Sequence, residues 1–414
     1  MRSARADRGG VRDCWDAIVA GAGPAGAATA LHLARAGARV LLLDRARFPR
    51  HKPCSEYLSP GTTALLARLG DGVLAAVEGA SPARISGMKV VAPGGAAMCG
   101  RFGGAPSFAL PRATFDAILL RAAERAGAVV REGTTVEDLV WDRGAVAGVV
   151  ARSGGGMRDA YRARVVIGAD GLRSVVARRL GLVRSSAPRR VAFTAHVADV
   201  AGVDGVGELH VGRPPHGYVG LGPVGGGVTT VALVLPLRTV RASGRTYGGP
   251  AGFFAALERF PGLAGRFDPR RLVRGVMATG PFAQWARTPI AAKGGALLVG
   301  DAADFFDPFT GQGIYAALRG AELAASCLLP ALARGVLTAA ALVPYVRARR
   351  REFAGKWALE RLIGLGVGWP ALTDRVVSRL ARRQDLADLL VGATGNVVPA
   401  RRVLAPLTLA RLLW

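Results

Sequence analysis

The tightest constraint on what this chain can fold into lies near its start, in the stretch DAIVAGAGPAGAATALHLARAGARVLLLD at residues 16–44. Ala17 to Ala20 is a short apolar run, and Gly21-x-Gly23-x-x-Gly26 follows it directly. Ala25 to Ala36 is rich in small helix formers, and Arg39 to Leu43 is a second apolar run that ends in Asp44. That order predicts strand, turn, helix and strand, a βαβ unit. The first glycine allows the tight turn, the second lets the backbone approach a pyrophosphate, and the third lets helix and strand pack closely. The helix N-terminus offers unpaired N–H groups and a partial positive charge to phosphate oxygens. Asp44 stands 18 residues after Gly26, where a carboxylate can accept hydrogen bonds from a ribose hydroxyl. Pro24 and Ala25 at the helix start, and Arg45 beside the acid, complete this part of the expected dinucleotide site. A second match, Gly220-x-Gly222-x-x-Gly225, precedes the strand-like GVTTVALVLP instead of a helix, so it reads as a glycine-rich turn.

Composition narrows the class. A chain of 414 residues, half of them apolar, can bury a substantial core and suits two interlocked domains with an appendage. The four cysteines, Cys14, Cys54, Cys99 and Cys327, are far apart, with neither a Cys-x-x-Cys pair nor zinc-site spacing, so no metal and no disulfide framework are expected. The N-terminal MRSARADRGGVRDCWD is basic but lacks a signal peptide's apolar run, and no uninterrupted apolar stretch of about 18 residues occurs. The expectation is a cytoplasmic, non-spanning protein. A net charge of +26 invites a nucleic-acid partner, or a non-catalytic role in binding polyanions. The charge is nearly all arginine spread along the chain, with lysine only at 52, 89, 293 and 356, and aromatics are 6%. A nucleic-acid module concentrates cations beside stacking aromatics, so no nucleic-acid partner is expected.

Further along, a helix is predicted from Arg112 to Ala126, then hairpins, then a buried strand in ARVVIGADG that stops at Asp170 and Gly171. Residues 190–235 alternate in β fashion. From 296, ALLVGDAADFFDPFTGQGIYAAL reads strand, loop and long helix. Asp301 falls at a strand tip, where it can accept a hydrogen bond from a sugar-alcohol hydroxyl. Pro308 and the Gly311/Gly313 pair, with Gln312 between, open a helix toward an anionic oxygen. Beyond 330 the pattern is helical, interrupted by GLGVGWP. A site built from both ends of the chain suits an extended cofactor such as FAD.

Three motifs in order, the glycine fingerprint with Asp44, GADG at 168–171 and GDAADFFDPFTGQG at 300–313, make the chain resemble the FAD-dependent superfamily of para-hydroxybenzoate hydroxylase-type monooxygenases and geranylgeranyl reductases. The resemblance covers about residues 13–330 and is closest, in motifs, to the reductase-like group. It implies an α/β, two-domain fold: a Rossmann-type FAD-binding domain (13–75 with 105–185 and 280–330), an inserted β-sheet substrate domain (76–104 with 186–279) and a helical C-terminus (331–414). It also implies that Asp170 and Gly171 lie near the pyrophosphate, and that Gly300 and Asp301 contact the ribityl chain. Arg112 in LPRATFD either contacts the cofactor or is a solvated residue of a helix's first turn. No second strand-glycine-helix unit is present, so NADPH or NADH is expected only as a transient reductant. The absence of Trp-x-Trp-x-Ile-Pro argues against a tryptophan-type halogenase.

Cys54 sits in RFPRHKPCSEYLSPG, which resembles the reductase group's Lys-x-Cys-Gly segment running past the flavin, with Ser55 in place of the glycine. It is either a redox or catalytic thiol or a small apolar filler. The group's Pro-x-x-Tyr-x-Trp-x-Phe-Pro reads PHGYVGLGP at 215–223, so Gly220 and Gly222 replace both aromatics. That predicts a wider pocket for a lipophilic ring-bearing or polyketide-like substrate. The expected chemistry is hydroxylation through a flavin C4a-hydroperoxide; the alternative is saturation of polyprenyl double bonds. Tyr218 is the candidate hydrogen-bond donor to substrate, with Cys54 and His51 as further catalytic candidates, and Tyr57, His210 and His216 as neighbours. The C-terminal ARRVLAPLTLARLLW either docks on its own domain or rests peripherally on a membrane. The oligomeric state is left open.

Overall fold

The computed structural model describes residues 14–187, 189–214, 217–243 and 246–413. The N-terminal basic segment, Pro215, His216 and Trp414 lie outside them. Fourteen strands carry the architecture: β1 Trp15–Ala20, β2 Val40–Leu43, β3 Gly87–Val91, β4 Ala97–Arg101, β5 Val129–Arg131, β6 Thr135–Asp142, β7 Ala145–Arg152, β8 Arg158–Gly168, β9 Arg190–Ala198, β10 Gly207–Val211, β11 Tyr218–Gly225, β12 Val228–Pro236, β13 Leu272–Thr279 and β14 Ala296–Leu298. The helices that position the site are α1 Pro24–Arg35, α2 Arg112–Arg125, α3 Gly313–Arg334, α4 Ala339–Val367, α5 Pro370–Ala381, α6 Gln384–Thr394, α7 Ala400–Val403 and α8 Pro406–Leu413.

The first sheet runs β5-β2-β1-β8-β7-β6, with β14 also pairing β8. Its β1, β2, β5 and β14 join the sheet by parallel pairing. Residues 17–20, Val40–Leu43 and Ala296–Leu298 read as unbroken apolar runs because both faces are covered, whereas the edge strand β5 is largely exposed. Helices α1, α2 and α3 share one core on one face, where Ala27, Ala28 and Ala30 of α1 are fully buried. Small residues let α1 approach the sheet and α3 closely. By length and composition α3 could cross a membrane, yet in this fold it is the central helix of that core.

The second sheet runs β13-β9-β12-β11-β10-β3-β4. Alternation along β9, β11 and β12 sends Phe193, Val219, Val231 and Leu233 into a core closed by the helix Pro250–Leu257. The opposite face carries Thr194, Gly220 and Ala232, aligned by the Thr194↔Ala232 and Gly220↔Ala232 pairings. A one-residue slip would exchange the two faces. The reading of Gly220-x-Gly222-x-x-Gly225 as a turn is corrected here. Gly220 and Gly222 lie inside β11, and only Gly225, with Gly226 and Gly227, turns the chain into β12.

The C-terminal helices cover the edge of that sheet. Gly100 of β4 permits this, since a Cβ there would lie 2.5 Å from both the Ala387 carbonyl and Val391 Cγ2. Asp388 accepts from the free Arg101 N–H at 2.7 Å, so the edge is occupied by α6. The expected break at GLGVGWP falls later than the glycines: α4 continues to Val367 and stops where Trp369, extended before Pro370, cannot remain helical.

Candidate active site

The three glycines of the fingerprint do different work. Gly21 has φ +98° and donates to the Leu43 carbonyl at 2.7 Å, and a Cβ there would lie 2.5 Å from the Ala169 carbonyl oxygen. At Gly26 a Cβ would lie 1.8 Å from the Gly21 oxygen, so this residue is required for helix-to-turn packing. Gly23 has neither constraint. Its nearest neighbours would be Arg50 Nη2 at 3.6 Å and Arg112 Nη2 at 3.9 Å, across an open cavity. Its lack of a side chain serves whatever enters that space.

Asp44 is 8% exposed, accepting from Ala22 N–H at 2.7 Å and Ala46 N–H at 2.8 Å. The carboxylate expected to face a ribose therefore also holds the glycine turn in shape. Arg45 beside it is exposed and outside the cavity wall.

Three cations surround the helix start. Arg112, in the first turn of α2, is 5% exposed and forms a bidentate pair with Asp116 at 2.7 and 2.8 Å. Burial opposes its charge, but Asp116 more than compensates and raises its pKa. The solvated alternative for Arg112 is thus corrected: it lines the cavity. Arg50 pairs with the same Asp116 at 2.8 Å. Lys52 stands over the Asp170-Gly171 turn, where a Cβ on Gly171 would come within 3.3 Å of its Nζ. Burial and the Arg112 charge lower its pKa, while burial raises that of Asp301, against the pull of Lys52 and Arg112. Asp170 accepts from Val175 N–H at 2.6 Å through one oxygen, and its other oxygen is buried without a partner. Burial raises its pKa in turn.

At the far end, Pro308–Thr310 forms a single 3₁₀ turn before Gly311, whose φ of +65° and 2.9 Å approach to Tyr57 exclude a side chain. Gln312 donates to the Ala393 and Thr394 carbonyls at 3.2 and 2.8 Å, and its buried side-chain oxygen has no partner. Gly313 then starts α3, and Gly300 (φ +57°) packs against Ala25. Asp307 accepts from Tyr218 Oη at 2.5 Å, Phe309 N–H at 3.0 Å and Arg190 Nη1 at 2.5 Å.

Tyr218 lines the cavity, but its proton is engaged by Asp307. Burial, then the Asp307 charge, raise its pKa well above the usual phenol value and keep it neutral. Cys54 also lines the cavity; its sulfur accepts from Glu56 N–H at 3.3 Å and lies against the Arg112 guanidinium. Glu56, fully buried with φ +60°, locks this segment from behind through Arg112 N–H at 3.0 Å and His196 Nε2 at 2.6 Å. His51 stays outside the cavity wall and shares its Nδ1 with Arg274 at 3.2 Å. His210 is held by Glu208 and the Pro261 carbonyl, away from the wall, whereas Tyr57 lines it and stacks on Phe102. Sequence reasoning missed Arg50, Lys52, Glu56, His196, Arg190 and Asp307. The run of cations in RFPRHKP was a signal for the first two; the others meet only because the fold brings loop residues Glu56 and Asp307 against the second sheet.

The cavity, about 410 Å³, runs unbroken from Gly23 and Ala25, past Lys52, Cys54 and Asp301, along the small-residue face of the second sheet to α4 and α8. Its first half fits an FAD. Gly23 and the α1 N-terminus with Arg50, Lys52 and Arg112 would take the pyrophosphate. Asp44 would take the ribose, Asp301 the ribityl hydroxyls, and the 308–313 turn would face the ring. Of the buried side-chain atoms without a partner, Tyr57 Oη and Thr194 Oγ1 belong to the cavity wall, and the free oxygens of Asp170 and Gln312 belong to residues next in sequence to its Gly171 and Gly313. Such a ligand or its ordered water would satisfy them. Among the described residues no three His, Cys, Asp or Glu side chains converge as a metal site requires.

The family model described as "FAD binding domain" matches residues 15–357. The digeranylgeranylglycerophospholipid reductase of Methanospirillum hungatei is 30% identical over 356 residues, covering 84% of this chain and 83% of its own. The menaquinone reductase of Mycolicibacterium smegmatis is 28% identical over 402 residues, covering 92% of each chain. Among solved structures, a flavoprotein/dehydrogenase of Cytophaga hutchinsonii shares the fold with a TM-score of 0.83 at 21% identity, covering 96% of each chain. The glycine cradle, the buried cations and the late Asp301 loop agree with these matches: the chain belongs to the FAD binding domain family and is an FAD-dependent oxidoreductase.

Proposed function

We propose that the protein saturates carbon–carbon double bonds in a polyprenyl-type lipid, drawing electrons from NADPH or NADH as a transient donor. The observation that carries this reading is the continuity of the cavity. One end is the cofactor cradle, and the other is an apolar channel between the second sheet and the C-terminal helices, walled by residues such as Leu209, Leu359, Val377 and Leu380. A channel of that composition accommodates a long hydrocarbon and offers it few polar partners. The reductases similar to this chain add support.

When bound, FAD supplies the hydride that goes to one alkene carbon. The chain holds the cofactor through Arg112, Lys52 and the glycine turn, and excludes water with the apolar wall. The other alkene carbon needs a proton, and we assign its delivery to the Cys54 thiol. Tyr218 is a positioning residue: its bond to Asp307 couples β11 to the 307–309 turn that would face the ring.

A second reading, hydroxylation of a lipophilic ring with oxygen, draws on Gly220 and Gly222. A Cβ at either would meet nothing closer than 3.7 Å, so neither glycine is forced by packing and both widen the cavity. Anaerobic turnover separates the two. Dithionite-reduced protein mixed with a geranylgeranyl lipid under argon should yield product that gains one pair of hydrogens per double bond by mass spectrometry. Cys54→Ala should keep its flavin and lose at least about tenfold in rate, within the usual range for a positioned proton donor. Inertness without oxygen, with an oxygen-containing product once air is admitted, would establish the hydroxylase instead.

A further inference from the structure

The far end of the cavity opens among exposed apolar side chains of the C-terminal helices. Leu362 of α4 and Leu413 of α8 line the cavity and are also 44% and 39% exposed, so the mouth lies between these two helices. On the same two helices and just past α4, Leu365 is 72% exposed, Trp369 65% and Leu407 81%. Leu362 and Leu365 share one face of α4, and Trp369 continues that face just past the helix end. Five exposed arginines lie on these and the adjoining helices: Arg361 of α4, Arg375 of α5, Arg401 and Arg402 of α7, and Arg411 of α8. Arg361 lies over the Phe306 ring, and Arg411 is paired with Asp385 at 2.7 Å. Arg401 and Arg402 make no ion pair among the described residues.

Exposed leucines and a tryptophan, with arginines on the same and adjoining helices, match the interfacial region of a bilayer. There the apolar tips enter the acyl boundary and guanidinium groups meet lipid phosphates. A second copy of the chain fits less well, because a twofold contact would set these arginines against their own kind and close the mouth.

We propose that this face docks on an anionic phospholipid bilayer, so that a lipid tail passes from the membrane into the cavity without crossing water. The proposal rests on the lipid-substrate reading above, but docking is measured without turnover. Purified holoprotein is floated with phosphatidylcholine vesicles, with and without phosphatidylglycerol. It should co-float with the phosphatidylglycerol vesicles and be released by salt. Leu365→Glu/Trp369→Glu/Leu407→Glu should stay at the bottom of the gradient with its flavin absorbance intact. Arg401→Gln/Arg402→Gln should weaken partitioning by about fivefold per arginine, the value of one basic side chain near an anionic surface. Holoprotein that ignores both vesicle types, or a triple variant that floats as well as the parent, would overturn the proposal. So would a parent dimer that the triple variant converts to monomer. A triple variant that reduces a short soluble isoprenoid but not a vesicle-embedded one places the defect in docking; a parent that reduces neither defeats the reductase reading instead.

Discussion

Gly23 and Gly26 look alike in sequence and differ in what surrounds them. A Cβ on Gly26 would overlap the Gly21 oxygen at 1.8 Å, a backbone clash that no rotamer relieves. A side chain on Gly23 would enter the cavity, with only the flexible ends of Arg50 and Arg112 nearby. Gly26→Ala should therefore destabilise the protein by several kcal/mol, in the range of strongly disruptive single substitutions at about 4 kcal/mol. Gly23→Val should fold with a normal circular dichroism spectrum and retain about a tenth or less of the parent's flavin, because the pyrophosphate can no longer approach the backbone. Normal flavin content in the purified Gly23→Val protein would show that the phosphates sit elsewhere.

Among elements, α4 links the cofactor end of the cavity to its far, apolar end. Its Tyr345 hydroxyl donates to the Leu298 carbonyl at 2.7 Å, and Arg349 donates to Asp304 at 2.6 Å with only 5% of its side chain exposed. Burial alone would lower the Arg349 pKa, but Tyr345 and Asp304 raise it, so the guanidinium stays charged in the core. Removing one partner of such a pair leaves the other buried and uncompensated, at a cost of about 3–5 kcal/mol. Arg349→Ala should lose that much by urea denaturation and should loosen the turn after Asp301 along with it. A change below about 1 kcal/mol, typical of an exposed pair, would show that water reaches this bridge.

For the molecule as a whole, the decisive feature is that one cavity is lined by residues from Gly23 to Leu413. A ligand held by both ends of the chain stabilises the entire fold by mass action, by about 1.4 kcal/mol for each tenfold excess of free FAD over its dissociation constant. Added FAD should raise the midpoint of thermal unfolding, with flavin release and loss of helical signal occurring together. Loss of helical signal while the flavin stays bound would mean that the C-terminal helices unfold as a separate unit. The charge of +26 is spread over the chain, and few of its cations stand at the cavity: the buried Arg112 and half-buried Arg50 and Lys52 at the cofactor cradle, and an exposed group on the C-terminal helices.

Local patterns determined the first βαβ unit, the buried strand into Asp170, and the strand and helix flanking Asp301. Each is written within about thirty consecutive residues, where periodicity, a glycine turn and an acidic strand end suffice. The expectation of FAD came from the order of these motifs along the whole chain. Only the tertiary structure decided that Gly220 and Gly222 belong to a strand, since that depends on pairing with Ala232 and Thr230. It also decided that Asp307 holds Tyr218 and Arg190, and that Glu56 holds His196 from 140 residues away. Such groups meet because two sheets and a helix layer bring distant segments to one cavity. The free energy of burying them paired depends on partners that no local stretch of sequence contains.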